Sequence, residues 1–262
     1  MKTICIFLWI SFFAIGCIPA KPKSEVPTLV RIINGQSSSI KKRASEIIIG
    51  YEGFTVSYSP EMFIPNWVSY ELTACKTEGP FSRKGKNFQQ DSRVSVSQAD
   101  AHDYRGSGWS RGHMAPAADF KWNDTAMTES FYYTNICPQN HELNNRYWNT
   151  LENNVRRWAN QFGRVFVVTG PIINQNIHGK IGHHGVVVPD AFFKVILAQT
   201  DVGWTSIAFV MDNTSDSRLF KDCATTVNAV EALTGIDFFP LLDDSVEEEV
   251  EGILDYKTWN VY

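Results

Sequence analysis

The sequence predicts an α+β fold: a central antiparallel sheet flanked by helices, without the regular βαβ alternation of a parallel sheet. Three observations carry this. Val68, Tyr70 and Leu72 alternate with Ser69, Glu71 and Thr73, the period of a half-buried strand. Tyr147, Leu151, Val155 and Trp158 fall at intervals of four, four and three, the period of one helix face. Between Val165 and Met211 three further β-rich stretches follow one another with no helix among them.

In chain order, Met1-Lys2-Thr3 carries one positive charge and leads into the apolar run from Ile4 to Ile15, too short to span a bilayer comfortably. This reads as an export signal over residues 1–20. Two processing routes are open: Ala14-Ile15-Gly16-Cys17 resembles a loose lipoprotein signal, with Cys17 as lipid anchor, and Ile18-Pro19-Ala20 resembles an ordinary signal-peptidase site. Residues 21–45 mix Pro, Ser and Lys without an apolar period and read as a linker. The export signal implies a periplasmic, extracellular or membrane-anchored lipoprotein location, and no transmembrane helix is expected in the mature chain.

The domain proper is expected over residues 46–242. It opens with strands at Phe54–Tyr58 and Trp67–Thr73, followed by a polar loop rich in Gly, Ser, Lys and Asp from Glu78 to Gly108. The helix after Asn145 should end at Gly163. Strands are expected at Val165–Ile172, Val186–Gln199, broken near Pro189, and Ser206–Met211. A second helix is expected from Ser217 to Leu233, capped by Asp216, with Leu219, Cys223, Val227 and Val230 as its apolar stripe and Gly235 as terminator.

Residues 243–262 read as an acidic C-terminal tail, with seven carboxylates against Lys257. That tail accounts for the sign of the overall net charge of −4, since the body without it and Lys2 stands at +1. A catalyst that must release its product needs a local basic cleft more than a global positive excess, and a weakly charged body implies weak nucleic-acid binding at high salt. After Cys5 and Cys17, three cysteines remain, Cys75, Cys137 and Cys223, whose spacing offers no zinc motif. One disulfide among them is compatible with an exported location.

The segment richest in chemistry is Tyr104-Arg-Gly-Ser-Gly-Trp-Ser-Arg-Gly-His-Met-Ala-Pro-Ala-Ala-Asp119. It is followed by Tyr133-Thr-Asn-Ile-Cys-Pro-Gln-Asn140 and by His141-Glu-Leu-Asn-Asn-Arg-Tyr-Trp-Asn-Thr-Leu-Glu152, which runs into Arg156 and Arg157. With Thr169-Gly170-Pro171, Val188-Pro-Asp-Ala-Phe-Phe-Lys-Val195 and Thr234-Gly235-Ile236, this ordered set resembles the DNA/RNA non-specific endonuclease family over about Phe54 to Leu242. The resemblance implies the ββα-metal nuclease fold and an exported endonuclease that hydrolyses DNA and RNA with Mg²⁺ (or Mn²⁺), leaving 5′-phosphate ends.

It also implies residue roles. His113 matches the general base, and an imidazole suits proton removal from water near neutral pH. Asn144 matches the only direct protein ligand to the metal, and Glu152 the carboxylate that reaches it through water. Arg156, one helical turn beyond Glu152, matches the arginine that steadies the transition state. Arg111 contacts the phosphate or braces the loop, and Gly112 admits close backbone approach. Asn135 and Gln139 fix the geometry from behind.

Two departures stand out: Ser110 occupies the place where the family motif usually begins with Asp, and an upstream phosphate-binding arginine is replaced in register by Lys86, with Arg83 nearby. Two rival readings remain. A degenerate binding module would not nick plasmid with Mg²⁺, and a phosphodiesterase for small nucleotides would need a closed pocket. His183-His184 reads as a polar turn before a strand, and Trp109 and Trp122 as packing residues, with stacking on bases as the alternative.

Overall fold

The computed structural model describes residues 30–32, 46–216 and 218–262; the expected signal, Cys17 and most of the expected linker lie outside them. In chain order the elements are β1 (Val30–Ile32), β2 (Ile47–Gly50), β3 (Thr55–Ser59), β4 (Ile64–Thr73), α1 (Ala101–Tyr104), β5 (Ser110–His113), α2 (Asp124–Glu129), β6 (Ile136–Gln139), α3 (Trp148–Phe162), β7 (Arg164–Ile172), β8 (Lys180–Ile181), β9 (Val186–Val187), β10 (Ala191–Thr200), β11 (Gly203–Asp212), β12 (Ala224–Thr225), α4 (Val227–Thr234), β13 (Ile236–Phe238) and α5 (Asp244–Gly252).

Seven strands form one antiparallel sheet in the order β12-β11-β10-β7-β4-β3-β2. The sheet is covered on both faces, which explains why Ala191-Phe-Phe-Lys-Val-Ile-Leu-Ala198 is a continuous apolar run interrupted by one lysine. Phe192 and Ile196 belong to the larger core, which also holds Leu151, Val155 and Trp158 of α3. Phe193, Val195 and Leu197 enter a second core with Val227, Val230, Ile236, Phe238 and Val250 from α4, β13 and α5. Lys194, by strand alternation, therefore points with Phe192 toward α3.

The expected helix over 217–233 is shorter than its apolar pattern suggested. Residues Phe220–Cys223 form a 3₁₀ turn, and Ala224–Thr225 pair with the edge of β11. The helix starts only where the Thr226 hydroxyl accepts the Ala229 N–H, so Thr226 and not Asp216 is the cap. Part of the expected linker is structured too: Val30–Ile32 pairs antiparallel with β13. No disulfide joins Cys75, Cys137 and Cys223, because Cys137 and Cys223 are free and buried.

The acidic C-terminal stretch is folded onto the domain and does not trail from it. Trp259 is buried edge-on against Trp158, at 5.1 Å between ring centroids, and its carbonyl accepts the Trp158 indole N–H at 2.7 Å. The Ser206 hydroxyl donates to the Val250 carbonyl at 2.7 Å and ties α5 to the sheet. Apolar anchors at Val250, Trp259 and Val261 outweigh the charge pattern that made this stretch look solvated.

Burial of that acidic surface has a pH consequence. Burial, then the neighbouring Glu231, Glu247 and Asp237, pushes the Glu251 carboxyl up to about 9, and burial with Asp237 and Glu247 raises Glu231 to about 7. Both groups bind a proton more tightly folded than unfolded. Their contribution to stability is full below the unfolded carboxylate range and is lost as pH rises through 7 and then 9. Thermal unfolding should show a Tm that falls by at least a few degrees from about pH 5 to about pH 9, with Glu251→Gln flattening the slope. A Tm that rises over that interval would contradict the assignment.

Candidate active site

β5 and β6 form a separate two-stranded antiparallel ribbon in which His113 faces Ile136 and Ser110 faces Gln139. A helix follows at once, so ribbon and helix together make a ββα unit. Along β5 the pleat sends Arg111 and His113 to one face and Ser110 and Gly112 to the other. Gly112 is required by its surroundings, since a Cβ there would overlap the Gln139 side chain. The close approach is thus between the two strands of the ribbon.

Asn135 locks the chain just past His113. Its fully buried amide accepts the Ala115 N–H (2.9 Å) and donates to the carbonyls of Ala115 (2.9 Å) and Ser130 (2.8 Å). Gln139 is also fully buried, and neither of its amide atoms has a partner among the described residues. Phe88 lies 5.2 Å from the His113 ring and Phe131 meets it edge-on at 5.0 Å. The Arg111 guanidinium stacks over the other partner of that aromatic shelf, 4.4 Å from the Phe88 centroid.

The helix begins with a cap the sequence reading missed. Asn140 Oδ1 accepts the N–H groups of Glu142 (2.9 Å) and Leu143 (3.3 Å), and Asn213 Oδ1 accepts the Asn140 N–H (2.7 Å). Leu143–Tyr147 then form a π turn that continues into α3. In an ideal α-helix, eight residues at about 100° each leave two side chains about 80° apart. The wider i→i+5 turn rotates less per residue and removes much of that offset, so Asn144 and Glu152 share a face.

They share more than a face. A cleft of about 490 Å³ is lined by His113, Arg111, Arg83, Asn144, Asn145, Asn149 and Glu152, among others. Asn144 donates through Nδ2 to Asn145 Oδ1 (3.4 Å), which leaves its own Oδ1 without a protein donor among the described residues. The Glu152 carboxylate has no hydrogen bond or ion pair there either. Two hard oxygen donors in one cleft suit Mg²⁺, which keeps most of its own waters and needs few protein ligands.

His113 is half-buried, with Nε2 sealed from solvent and unpartnered. Burial, then the charges of Arg83 and Arg111, lowers its pKa to about 3, so the ring is neutral at physiological pH. An imidazole this acidic has little driving force to take a proton by itself. A phosphate held by Arg83 and Arg111 would offset the two charges that depress it.

Beneath the cleft lies a buried ionic network that the sequence reading did not assign. Asp119 accepts from Arg156 Nη1 (2.6 Å) and from the Tyr70 hydroxyl (2.9 Å). Lys194, fully buried, sits 4.7 Å from the Trp148 ring centroid. Burial pushes the Glu152 carboxyl up and the Lys194 ammonium down, and each charge offsets part of the other's shift. A lysine inside an otherwise apolar strand run was the available signal, because a buried ammonium needs a carboxylate nearby.

Not every expected residue reaches the cleft. Arg156 is committed to Asp119 and, through Nη2, to Asn153 (2.8 Å), and it is not among the lining side chains. Lys86 does not line it either: its Nζ is held by Asp124 (2.6 Å) and Thr128 (2.8 Å). Arg83, exposed and free of any ion pair among the described residues, lines the cleft where Lys86 does not. Trp109 packs on His178 at 5.0 Å, and Lys76 sits 5.0 Å from the Trp122 ring, so both indoles lie outside the lining. Ser110, on the far face of the ribbon, is hydrogen-bonded with His141 Nδ1 at 3.3 Å.

The model of the DNA/RNA non-specific endonuclease family matches residues 35–245. The chain belongs to that family. It is 35% identical over 232 residues to the mitochondrial nuclease EXOG of Danio rerio, covering 81% of this chain and 68% of that protein. Human mitochondrial endonuclease G is 31% identical over 202 residues, 72% of this chain and 68% of that protein. The chain spans 58% of the length of the Xenopus laevis EXOG and 57% of the mouse one. Among solved structures, the crystal structure of the EndoG/EndoGI complex superposes with a TM-score of 0.70 at 28% identity, covering 76% of this chain and 88% of that one. The ββα-metal nuclease fold is therefore that of the family, with the ribbon and α3 as its ββα unit.

Within this family frame, Arg83 and Lys86 can be told apart by kinetics. Arg83→Ala should lower kcat/KM on a DNA substrate about tenfold or more, the cost of a charge-assisted hydrogen bond to phosphate. Lys86→Ala should change it by less than about threefold, because that ammonium is already paired. The reverse order of effects would restore Lys86 to the phosphate site.

Proposed function

We propose that the protein is an exported endonuclease that hydrolyses phosphodiester bonds of both DNA and RNA with Mg²⁺, or Mn²⁺ in its place, and leaves 5′-phosphate ends. One observation carries the reading: a neutral imidazole, an unpartnered amide oxygen, an unpartnered carboxylate and two arginines line a single cleft. The names of the mitochondrial EXOG and endonuclease G relatives support nuclease activity in the same direction.

Arg83 and Arg111 would hold the phosphate, with the Arg111 guanidinium kept in place by its stack on Phe88. His113 would take the proton from the attacking water. Since Nε2 is sealed, Nδ1 is the nitrogen left to accept it. Asn144 and Glu152 would hold the divalent ion, which supplies charge neutralisation at the phosphate when bound. Arg156 would act at one remove, by fixing Asp119 and the charge balance around Glu152. No residue in this scheme calls for a 2′-hydroxyl, so both DNA and RNA should be cut.

The rim residues Phe81, Ser82, Arg83, Arg111, Asn145 and Asn149 are exposed, which favours a polymer lying across the cleft over a small nucleotide enclosed in it. Digestion of supercoiled plasmid and of RNA, with Mg²⁺ and with chelator, tests the proposal. Nicking of both with Mg²⁺, ends that ligate without phosphorylation, and silence in chelator are expected. Binding without nicking would instead establish a degenerate module.

Export rests on the apolar run from Ile4 to Ile15. The intact mass of the protein recovered from outside the cytoplasm should correspond to a start after Ala20 or at a lipidated Cys17, and an unprocessed mass would remove the proposal. Among the described residues, no helix is long and apolar enough to cross a membrane.

A further inference from the structure

We propose that Asp100, Asp103, His183 and His184 form a second metal site, separate from the cleft, that takes a divalent transition-metal ion of the zinc type. One ligand atom from each of these four side chains lies within 4.8 Å of the other three. None of the four lines the cleft that holds His113 and Asn144.

The four groups come from two segments far apart in the chain. Asp100 and Asp103 lie at the start of α1, and the two histidines lie in the turn between β8 and β9. His184 Nδ1 is 2.8 Å from one Asp103 oxygen and His183 Nδ1 is 3.2 Å from the other, while His183 Nε2 is 3.8 Å from Asp100. The two rings lie side by side at 3.9 Å between centroids. A tetrahedral ion with bonds of about 2.0–2.2 Å places its donors about 3.3–3.6 Å apart, so on binding the hydrogen-bonded His184–Asp103 pair at 2.8 Å would open and the widest pair, within 4.8 Å, would close.

The arrangement is built into the backbone. The Asp103 side chain is fully buried and accepts the backbone N–H groups of Asp100 (2.9 Å) and His184 (3.0 Å). Gly182 has φ of +67°, and a Cβ on it would overlap Asp103, so the histidine turn closes on that carboxylate only because residue 182 is glycine. The Asp103 carboxylate already has two backbone N–H groups and the His184 imidazole as partners. Here two imidazoles and a second aspartate converge on it, and a cation between them would satisfy all four. Two nitrogens and two carboxylate oxygens suit zinc and its neighbours, whereas magnesium prefers oxygen alone. His183 is 58% exposed, which leaves a path for the ion.

The site is placed to brace the catalytic ribbon. Tyr104, next to Asp103, stacks on Tyr133 at 5.8 Å, and Tyr133 lies 6.3 Å from Phe88, the ring that flanks His113. An ion there would pin the β8–β9 turn to the segment leading into β5 without touching the substrate.

Cobalt(II) is the probe, titrated into the full chain after chelator treatment and followed by its d–d absorption. The wild type and Asn144→Ala, which lacks the cleft ligand, should each show one equivalent of cobalt with the intensity of a four- or five-coordinate ion, any cobalt in the wild-type cleft being six-coordinate and weakly absorbing. The His183→Ala/His184→Ala variant should bind more than about 100-fold more weakly, a larger loss than that from removing an outer partner of a ligand. His183→Cys, at an exposed position, should add a thiolate-to-cobalt charge-transfer band, which decides the matter even if the double variant does not fold. Folded wild type that gives no absorption beyond free cobalt, a band that survives in the folded double variant, or His183→Cys without charge transfer would each overturn the proposal.

Discussion

Replacing His113 with alanine is expected to lower kcat on plasmid DNA by a factor of about 10² or more, with a smaller change in KM. Arg83 and Arg111 remain in the cleft to hold the phosphate, and only the proton acceptor is lost. The variant should fold, because the ring is half-buried and makes no hydrogen bond among the described residues. Removing it from between Phe88 and Phe131 costs packing but no buried polar partner. Turnover within a few-fold of wild type, in protein freed of contaminating nuclease, would show that the proton goes elsewhere.

The largest effect on stability is expected at Asn135. Asn135→Ala strands the Ala115 N–H, the Ala115 carbonyl and the Ser130 carbonyl in a region closed to water. Buried groups left without partners cost about 1–3 kcal/mol each, and some relaxation is certain, so a total loss of about 3–5 kcal/mol is expected. Urea unfolding measures it as a drop in midpoint with little change in slope. Ala115 is two residues from His113, so the folded fraction should also turn over more slowly. A loss below about 1 kcal/mol would mean that the ribbon is held by something other than this amide.

Much of the fold was legible because both relevant periods were clean. The alternation in β4 and the apolar face of α3 gave elements close to those observed, down to Gly163, which ends α3 at φ of +79°. The failures came where tertiary contacts overrode a local pattern. The stretch before Val227 carried helical spacing, yet the open edge of β11 recruited Ala224 and Thr225 as a strand. The C-terminal residues looked solvated by charge, yet Trp259 is buried against Trp158.

Part of the cleft lining was legible in a similar way. His113, Asn144, Glu152 and Arg111 converge because the ribbon and the helix are joined through Asn140 with no intervening loop. The choice between Lys86 and Arg83 could not be made from spacing, since it depends on Asp124 and Thr128 reaching across to Lys86. Arg156 was placed correctly on the helical face of Glu152, but the sequence could not show that buried Asp119 would claim its guanidinium. His183-His184 looked like an ordinary turn because its partners, Asp100 and Asp103, lie some eighty residues earlier.

Anomalous scattering from a crystal soaked in Mn²⁺ tests the shared cleft most directly. A peak about 2.0–2.2 Å from Asn144 Oδ1, on the side facing Glu152 and His113, is what this arrangement of donors requires. A fully occupied peak confined to Asp100, Asp103, His183 and His184, with none beside Asn144, would contradict it.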